Sequence, residues 1–167
     1  EIHVESAQGV GTTFQVTIPC KKTALEAKAP VEENQDLFAC EGMRLLVAED
    51  NDLNFAVVQE LLAMYGVTCD RAEDGAESVE RVRNAPDGSY DAILMDMQMP
   101  VMDGLEATRR IRSLDSTWAK TVPILALTAN AFRQDVDACL EAGMNAHLSK
   151  PINIRILLKT LEGYKTK

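Results

Sequence analysis

The sequence has little of what builds several common classes of protein. Its four cysteines lie far apart and form no Cys-x-x-Cys pair, which excludes a dense disulfide framework and disfavours a zinc site. No apolar run approaches the roughly 20 residues that span a bilayer, and no signal peptide opens the chain. We therefore expect reduced thiols and a cytoplasmic location.

Positive charge is also scarce. Lys and Arg total 17 against 26 Asp and Glu, which gives a formal net charge of −9. Binding to nucleic acid or to an anionic membrane surface needs clustered positive charge, so we expect neither from this segment. Hydrophobic residues make up 46% of the 167 residues and charged residues 26%, as in a globular domain that can bury a real core.

Three regions follow one another along the chain. Residues 1–20 alternate apolar and polar side chains on both sides of a glycine turn at 9–11, which predicts two strands. Residues 21–42 have the composition of a linker, with a short helix at 23–28 as the alternative. Residues 43–167 form the third region. The chain begins at Glu1 in mid-pattern, which is typical of a piece of a longer protein.

The third region alternates strands and helices about five times. Continuous apolar runs at 45–48 and 92–95 predict parallel strands, the first of them buried on both faces. Further strands are predicted at 67–71, 122–127 and 146–148. Helical spacing and stop signals predict helices at 55–65, 75–83, 103–113, 135–142 and 154–161, with Asp103 as an N-cap. We therefore predict an α/β fold with a doubly wound five-stranded parallel sheet and helices on both faces.

Polar side chains follow four of these strands. Glu49 and Asp50 follow the first strand, Asp96 the third, Thr128 the fourth and Lys150 the fifth. In open parallel sheets, ligands bind outside the carboxyl ends of the strands, so these groups should meet at one edge. An acidic pair after a strand is usually a solvated turn, and a lone Thr or Lys at a strand end means little. Their joint placement at the same end of four strands is the stronger signal.

This set of groups suits a phosphoryl group and a divalent cation. Clustered carboxylates repel one another unless a cation joins them, and hard oxygen ligands favour Mg²⁺. An ammonium and a hydroxyl beside them would offset charge on phosphoryl oxygens during in-line transfer. The sequence thus predicts a phosphoryl-accepting site centred on Asp96.

Residues 43–167 resemble the receiver domain of a two-component response regulator. The motifs that carry the resemblance are LVAEDN at 46–51, MDMQMPVMDG at 95–104, ALTA at 126–129 and LSKP at 148–151. The implied function is that of a flavodoxin-like receiver domain in a phosphorelay. Asp96 would accept a phosphoryl group from a phosphohistidine in a Mg²⁺-dependent reaction, and would then relay it or switch conformation.

The resemblance also implies a role for each site residue. The Mg²⁺ ligands would be Asp50, Asp96 and the backbone carbonyl of Gln98, with Glu49 acting through a coordinated water. Lys150 would pair with Asp96 or its phosphoryl oxygens, and Thr128 would turn its hydroxyl to the phosphate as the switch. The small Ala129 would leave room for an incoming imidazole, and the Lys150-Pro151 bond would be cis.

One position departs from the family pattern. Similar receivers carry Tyr or Phe three residues before the lysine, and this ring packs inward when the switch threonine engages phosphate. Here the residue is His147. A lone histidine is more often a surface or packing residue than a catalyst, but its titration near neutrality makes a different or pH-dependent readout a hypothesis.

Residues 1–20 resemble the last glycine box and final strand of a histidine kinase ATP-binding domain, with VESAQGVGTTFQVTIP at 4–19. A Gly-x-Gly turn alone is weak evidence, and an ordinary hairpin is the alternative. Together the two resemblances imply the C-terminal end of a hybrid sensor histidine kinase, which can be membrane-anchored. The implied partners are a kinase phosphohistidine domain, even one in the same polypeptide, and a histidine phosphotransfer protein.

Three rival interpretations are less consistent with the sequence. A haloacid-dehalogenase-type phosphatase would carry its nucleophile in an Asp-x-Asp pair after the first strand. A nucleotide-binding flavodoxin or Rossmann domain would have a glycine-rich loop where this chain has Glu49 and Asp50. An interaction module with a decayed site would lack some of the acids, Thr128 or Lys150, and all of them are present.

Overall fold

The structure is a computed structural model that describes residues 1–7, 9, 11–19, 39–129 and 133–165. The chain divides into two compact units, Glu1–Asn34 and Gln35–Lys167. Most of the predicted linker, residues 21–38, lies outside the described residues, and so does the alternative helix at 23–28. The proposed domain boundaries therefore remain a prediction.

The first unit contains an antiparallel hairpin of β1 (Ile2–Ala7) and β2 (Gly11–Val16). Gly9, between the strands, has a φ of +81°, which glycine adopts without steric cost. The register pairs Ile2 with Val16 and Val4 with Phe14, so four apolar side chains share one face. These side chains are 49–70% exposed.

The second unit alternates strands and helices. In chain order its elements are β3 (Arg44–Ala48), α1 (Asp52–Ala63), β4 (Thr68–Ala72), α2 (Gly75–Asn84), β5 (Ala92–Asp96), α3 (Gly104–Arg112), α4 (Thr117–Thr121), β6 (Ile124–Thr128), α5 (Arg133–Ala142), β7 (Ala146–Ser149) and α6 (Ile154–Glu162). The five strands form one parallel sheet in the order β4-β3-β5-β6-β7. The predicted doubly wound sheet is thus confirmed.

Apolar side chains cover both faces of this sheet, because successive residues of a strand point to opposite sides. In β3, Leu45 and Val47 join a core cluster with residues of α1 and α6. Leu46 and Ala48 join a second cluster with residues of α2, α3, α4 and α5. All four side chains are fully buried, which explains why the strand reads as a continuous apolar run.

Polar side chains cap the N-termini of α1 and α3, the helices that follow β3 and β5. The side chain of Asp103 accepts a hydrogen bond from the Glu106 amide at 2.8 Å, which confirms the predicted N-cap. Asn51 caps α1 in the same way through the Asn54 amide at 3.0 Å. These two caps fix where α1 and α3 start, and therefore where the loops after β3 and β5 end.

Helix α4 was not predicted, because five residues are too few to display a helical period. Ser116 caps it, and its C-cap Val122 donates to the Trp118 carbonyl at 2.7 Å. The strand predicted from Val122 consequently begins two residues later, at Ile124.

Candidate functional site

The polar residues named above meet at one edge of the parallel sheet. The strand order reverses between β3 and β5, where the chain leaves β3 first to one side and later to the other. Ala48 is in register with Met95, so Glu49 and Asp96 are the next residues on adjacent strands. Thr128 is in register with Ser149, which directly precedes Lys150. The predicted meeting at the carboxyl ends of the strands is therefore found.

Lys150 lies at the centre of this group. Its Nζ atom is 2.6 Å from Oε2 of Glu49 and 2.6 Å from Oδ2 of Asp96. The side chains of Glu49 and Asp96 are only 1% and 9% exposed, and that of Lys150 is 23% exposed. One ammonium thus holds two buried carboxylates that would otherwise repel each other.

Burial dominates the protonation of the central acid. It raises the pKa of Asp96 above its ordinary value, against the opposing effects of the Lys150 ammonium and the Gln98 amide, while the Glu49 charge adds to the increase. Burial would lower the pKa of Lys150, but its hydrogen bonds to Asp96 and Glu49 outweigh this and raise it. The two carboxylates carry more negative charge than the single Lys150 ammonium offsets. A further cation is therefore favoured beside them.

The acidic side chains are close enough to share a metal ion. Each of Glu49, Asp50 and Asp96 offers a carboxylate oxygen, and these oxygens lie within 4.8 Å of one another. Glu49 and Asp96 are buried whereas Asp50 is exposed, so the group opens to solvent on one side. Carboxylate oxygens of this kind are the ligands that Mg²⁺ prefers, and the residues present fit that ion.

The loop after β5 closes tightly on Asp96. The Gln98 amide donates to Oδ1 of Asp96 at 3.2 Å. A Cβ atom on Gly104 would lie 2.3 Å from the Asp96 carbonyl oxygen, so only glycine fits there. Within the loop, Val101 has a φ of 65°, a strained backbone for a β-branched residue, and its side chain is 87% exposed.

Two strand ends complete the site. Thr128 is buried at the end of β6, and its carbonyl accepts a hydrogen bond from the Lys150 amide at 2.8 Å. The Lys150-Pro151 bond is cis, as the resemblance implied. Ala129 is exposed beside Thr128.

His147 lies on β7 with its side chain exposed. It lines a shallow cavity of about 150 Å³ together with Leu148, Ser149, Asn153 and Ile156. In this structure His147 does not pack inward, and its role in a switch stays a prediction.

Two site residues were not predicted from the sequence. Asn54 donates from Nδ2 to Oε1 of Glu49 at 2.9 Å, and its position three residues after the N-cap Asn51 could have indicated it. Arg71 donates from Nε to the Glu49 carbonyl at 3.1 Å and from a terminal nitrogen to the Asp50 carbonyl at 2.9 Å. It comes from β4, and no local sequence pattern indicates that β4 neighbours β3.

The family model for the response regulator receiver domain matches residues 45–162, which is most of the chain. The chain belongs to this family. The chain is 36% identical over 172 residues to the autoinducer 2 sensor kinase/phosphatase LuxQ of Vibrio parahaemolyticus, a match that covers all of this chain and 19% of LuxQ. It is 39% identical over 145 residues to the peroxide stress-activated histidine kinase Mak1 of Schizosaccharomyces pombe, covering 86% of this chain and 9% of Mak1. The chain therefore spans less than a fifth of these relatives.

Solved structures agree with this assignment. The receiver domain of sensor histidine kinase PA1611 from Pseudomonas aeruginosa, with a magnesium ion in its active site cleft, is 40% identical and superimposes with a TM-score of 0.66 over 74% of this chain and 97% of that domain. The receiver domain of Ssk1 from Saccharomyces cerevisiae, in complex with the histidine phosphotransfer protein Ypd1, is 29% identical with a TM-score of 0.63. That match covers 73% of this chain and 88% of the other.

Proposed function

We propose that Asp96 of this receiver domain accepts a phosphoryl group from a phosphohistidine in a Mg²⁺-dependent reaction. The observation that supports this most directly is the contact of the Lys150 ammonium with a buried Asp96 carboxylate at 2.6 Å. A carboxylate held at a sheet edge, beside a cation and a hydroxyl, has the groups that phosphoryl transfer requires.

Each residue would contribute a distinct step. Oδ2 of Asp96 would form a bond to the phosphorus atom while the bond between phosphorus and the donor imidazole nitrogen breaks. The ring would keep that electron pair and leave as neutral imidazole, with one proton taken from solvent. The Lys150 ammonium would stay at the reacting oxygen and offset its charge. The Thr128 hydroxyl would then donate to a phosphoryl oxygen, which would couple phosphorylation to the end of β6.

Asp50, Asp96 and the Gln98 carbonyl would hold Mg²⁺, with Glu49 acting through a water. When bound, this ion would offset the charge of the phosphoryl oxygens and orient them for in-line attack. The 4.8 Å grouping of the carboxylate oxygens supports this ligand set, and so does the magnesium ion in the similar PA1611 receiver domain.

The decisive experiment is phosphorylation with acetyl phosphate and MgCl₂, followed by mass spectrometry of the peptide that contains residue 96. We expect one phosphoryl group on the wild type and none on Asp96→Asn. Asp137→Asn is the matched control, because this aspartate is exposed on α5. Equal labelling of wild type and Asp96→Asn would reject the assignment, as would labelling that does not require Mg²⁺.

We also propose that the chain is the C-terminal part of a hybrid histidine kinase and exchanges its phosphoryl group with a phosphohistidine domain or a histidine phosphotransfer protein. The similarity to LuxQ over the whole chain supports the first part, and the Ssk1–Ypd1 complex of a related receiver supports the second. Transfer of label from a phosphorylated histidine protein to wild type, but not to Asp96→Asn, would be expected. Failure of transfer from every phosphohistidine donor, with acetyl phosphate still effective, would contradict it.

Residues 1–20 are proposed to be the end of a kinase ATP-binding domain. The exposed apolar face of the hairpin supports this, because a larger domain would bury such a face. Among the described residues, none of the helices is long and apolar enough to cross a membrane.

We expect a chain that starts at residue 39 to keep the unfolding temperature of the receiver, since the two units are separately compact. A loss of cooperative unfolding in that shorter chain would contradict the proposed boundary.

A further inference from the structure

Arg71 binds three residues of the acidic segment after β3, at positions 49, 50 and 52, and the sequence did not predict these contacts. The guanidinium donates three hydrogen bonds: from Nε to the Glu49 carbonyl at 3.1 Å, and from its two terminal nitrogens to the Asp50 carbonyl at 2.9 Å and to Oδ1 of Asp52 at 2.6 Å. Its central carbon also lies 5.3 Å from the centre of the Phe55 ring. The side chain is only 19% exposed, so this fork is held in place by packing.

These contacts fix the backbone of the loop rather than its carboxylates. Glu49 and Asp50 each present a carboxylate to the proposed cation site, and Arg71 binds the carbonyl oxygens of the same two residues. Asp50 itself is exposed, so the hydrogen bond from Arg71 ties the backbone of a solvent-facing residue to strand β4. A planar fork with several fixed donors can hold two adjacent carbonyls at once, which an ammonium cannot do with the same geometry.

We infer that Arg71 is a positioning residue for the cation site: it clamps the Glu49 and Asp50 backbone so that their carboxylates are preorganised for Mg²⁺ before the ion arrives. This rests on the proposed Mg²⁺-dependent function. Residues that hydrogen-bond to metal ligands touch no metal themselves. Their removal nevertheless commonly weakens metal affinity by roughly 10- to 100-fold. Preorganisation avoids ordering the loop at the moment of binding, which would otherwise weaken the affinity.

The positive charge of Arg71 should weaken Mg²⁺ binding, whereas its clamp on the loop should strengthen it. The two effects have opposite signs, so variants can separate them. A positive guanidinium near the site repels a divalent cation, so its removal should strengthen Mg²⁺ binding if charge alone mattered. Loss of the clamp should weaken binding instead. Arg71→Gln changes both the charge and the clamp, whereas Arg71→Lys keeps the charge and loses the fork.

The experiment measures the dissociation constant of MgCl₂ by calorimetric titration of the full chain. Positioning predicts roughly tenfold weaker binding in Arg71→Lys. It predicts weaker binding in Arg71→Gln as well, by a smaller factor, because loss of the positive charge there opposes loss of the clamp. Asp52→Asn is the matched control, because it removes the ion pair with a 91% exposed carboxylate and leaves both carbonyl contacts. Its dissociation constant should stay within about twofold, since an exposed charge is screened. Tighter binding in Arg71→Gln, or unchanged binding in Arg71→Lys, would overturn the inference.

A second readout needs no metal. Hydrogen exchange at the amides of Asn51 and Asn54, both bonded within this loop, should quicken in metal-free Arg71→Lys but not in Asp52→Asn. Unchanged exchange would count against the clamp. Asp50→Asn separates the two hypotheses: if the wild type binds no Mg²⁺, or Asp50→Asn binds it equally well, the proposed cation site is wrong. If only the Arg71 variants match the wild type, the cation site stands and the positioning role falls.

Discussion

Lys150 offers the sharpest test of the site, because its removal leaves two buried negative charges without their common partner. Its ammonium lies 2.6 Å from carboxylates of Glu49 and Asp96, which are 1% and 9% exposed. Breaking a buried ion pair from one side costs about 3–5 kcal/mol, whereas an exposed pair contributes about 0–1 kcal/mol. We expect Lys150→Met to lower the free energy of unfolding of the metal-free protein by about 3–5 kcal/mol at neutral pH.

The loss should depend on pH with a defined sign. The pKa of Asp96 is already raised in the folded protein, chiefly by burial. A carboxyl group with a raised folded pKa binds its proton more tightly when folded, so the folded state gains stability as pH falls through that pKa. Without Lys150 the pKa of Asp96 should rise further. The destabilisation by Lys150→Met should therefore shrink as the pH is lowered from neutral, because a protonated carboxyl group no longer needs a cationic partner.

Magnesium should have a related effect. A cation that binds only the folded state adds about 2.7 kcal/mol of stability at a concentration of 100 times its dissociation constant. In the variant this ion would also replace the missing positive charge. We thus expect MgCl₂ to stabilise Lys150→Met more than it stabilises the wild type.

The assay is urea unfolding followed by the fluorescence of Trp118, the single tryptophan, which lies in α4 of the receiver unit. Measurements at neutral and mildly acidic pH, with and without MgCl₂, give four free energies of unfolding for each protein. Lys120→Met is the matched control, because this lysine is exposed at the end of α4. A loss below about 1 kcal/mol in Lys150→Met, equal at every pH and MgCl₂ concentration, would refute the buried-triad interpretation.

Three further predictions concern packing, charge and a thiol. Gly104→Ala should lower the free energy of unfolding by about 1–3 kcal/mol in urea titrations, because the new Cβ would meet the Asp96 carbonyl oxygen at 2.3 Å; an unchanged midpoint would be inconsistent with this close approach. The pKa of Glu77 is lowered, first by the hydrogen bond from the Glu73 amide, so its stabilisation is present above its unfolded pKa and is lost as pH falls through the lower folded value. Glu77→Gln should consequently be less stable than the wild type near neutrality, by at most about 1 kcal/mol given its exposure, and equally stable in strong acid; a constant difference across pH would contradict this. Burial raises the pKa of the Cys40 thiol, so its labelling by a disulfide reagent should follow unfolding, and labelling as fast as in urea-denatured protein would reject its burial.

Local patterns were enough to predict most of the receiver fold. The buried strands read as continuous apolar runs because side chains on both faces meet helices, and Leu45, Leu46 and Val47 are all fully buried. Asp103 was recognisable as an N-cap because capping depends only on residues within one turn. Helix α4 was missed for the converse reason: five residues contain too little of a period to be distinguished from a loop.

The sequence by itself also determined which groups would meet. Parallel strands carry their C-terminal residues to one edge, so Glu49, Asp96 and Lys150 were predictable neighbours without any coordinates. What only the tertiary structure decided is how they pair. The contact of Lys150 with both carboxylates depends on the side-chain conformations of all three residues. The Arg71 clamp depends on β4 lying beside β3. Both are set by packing between segments distant in sequence, and a local period contains no information about such contacts.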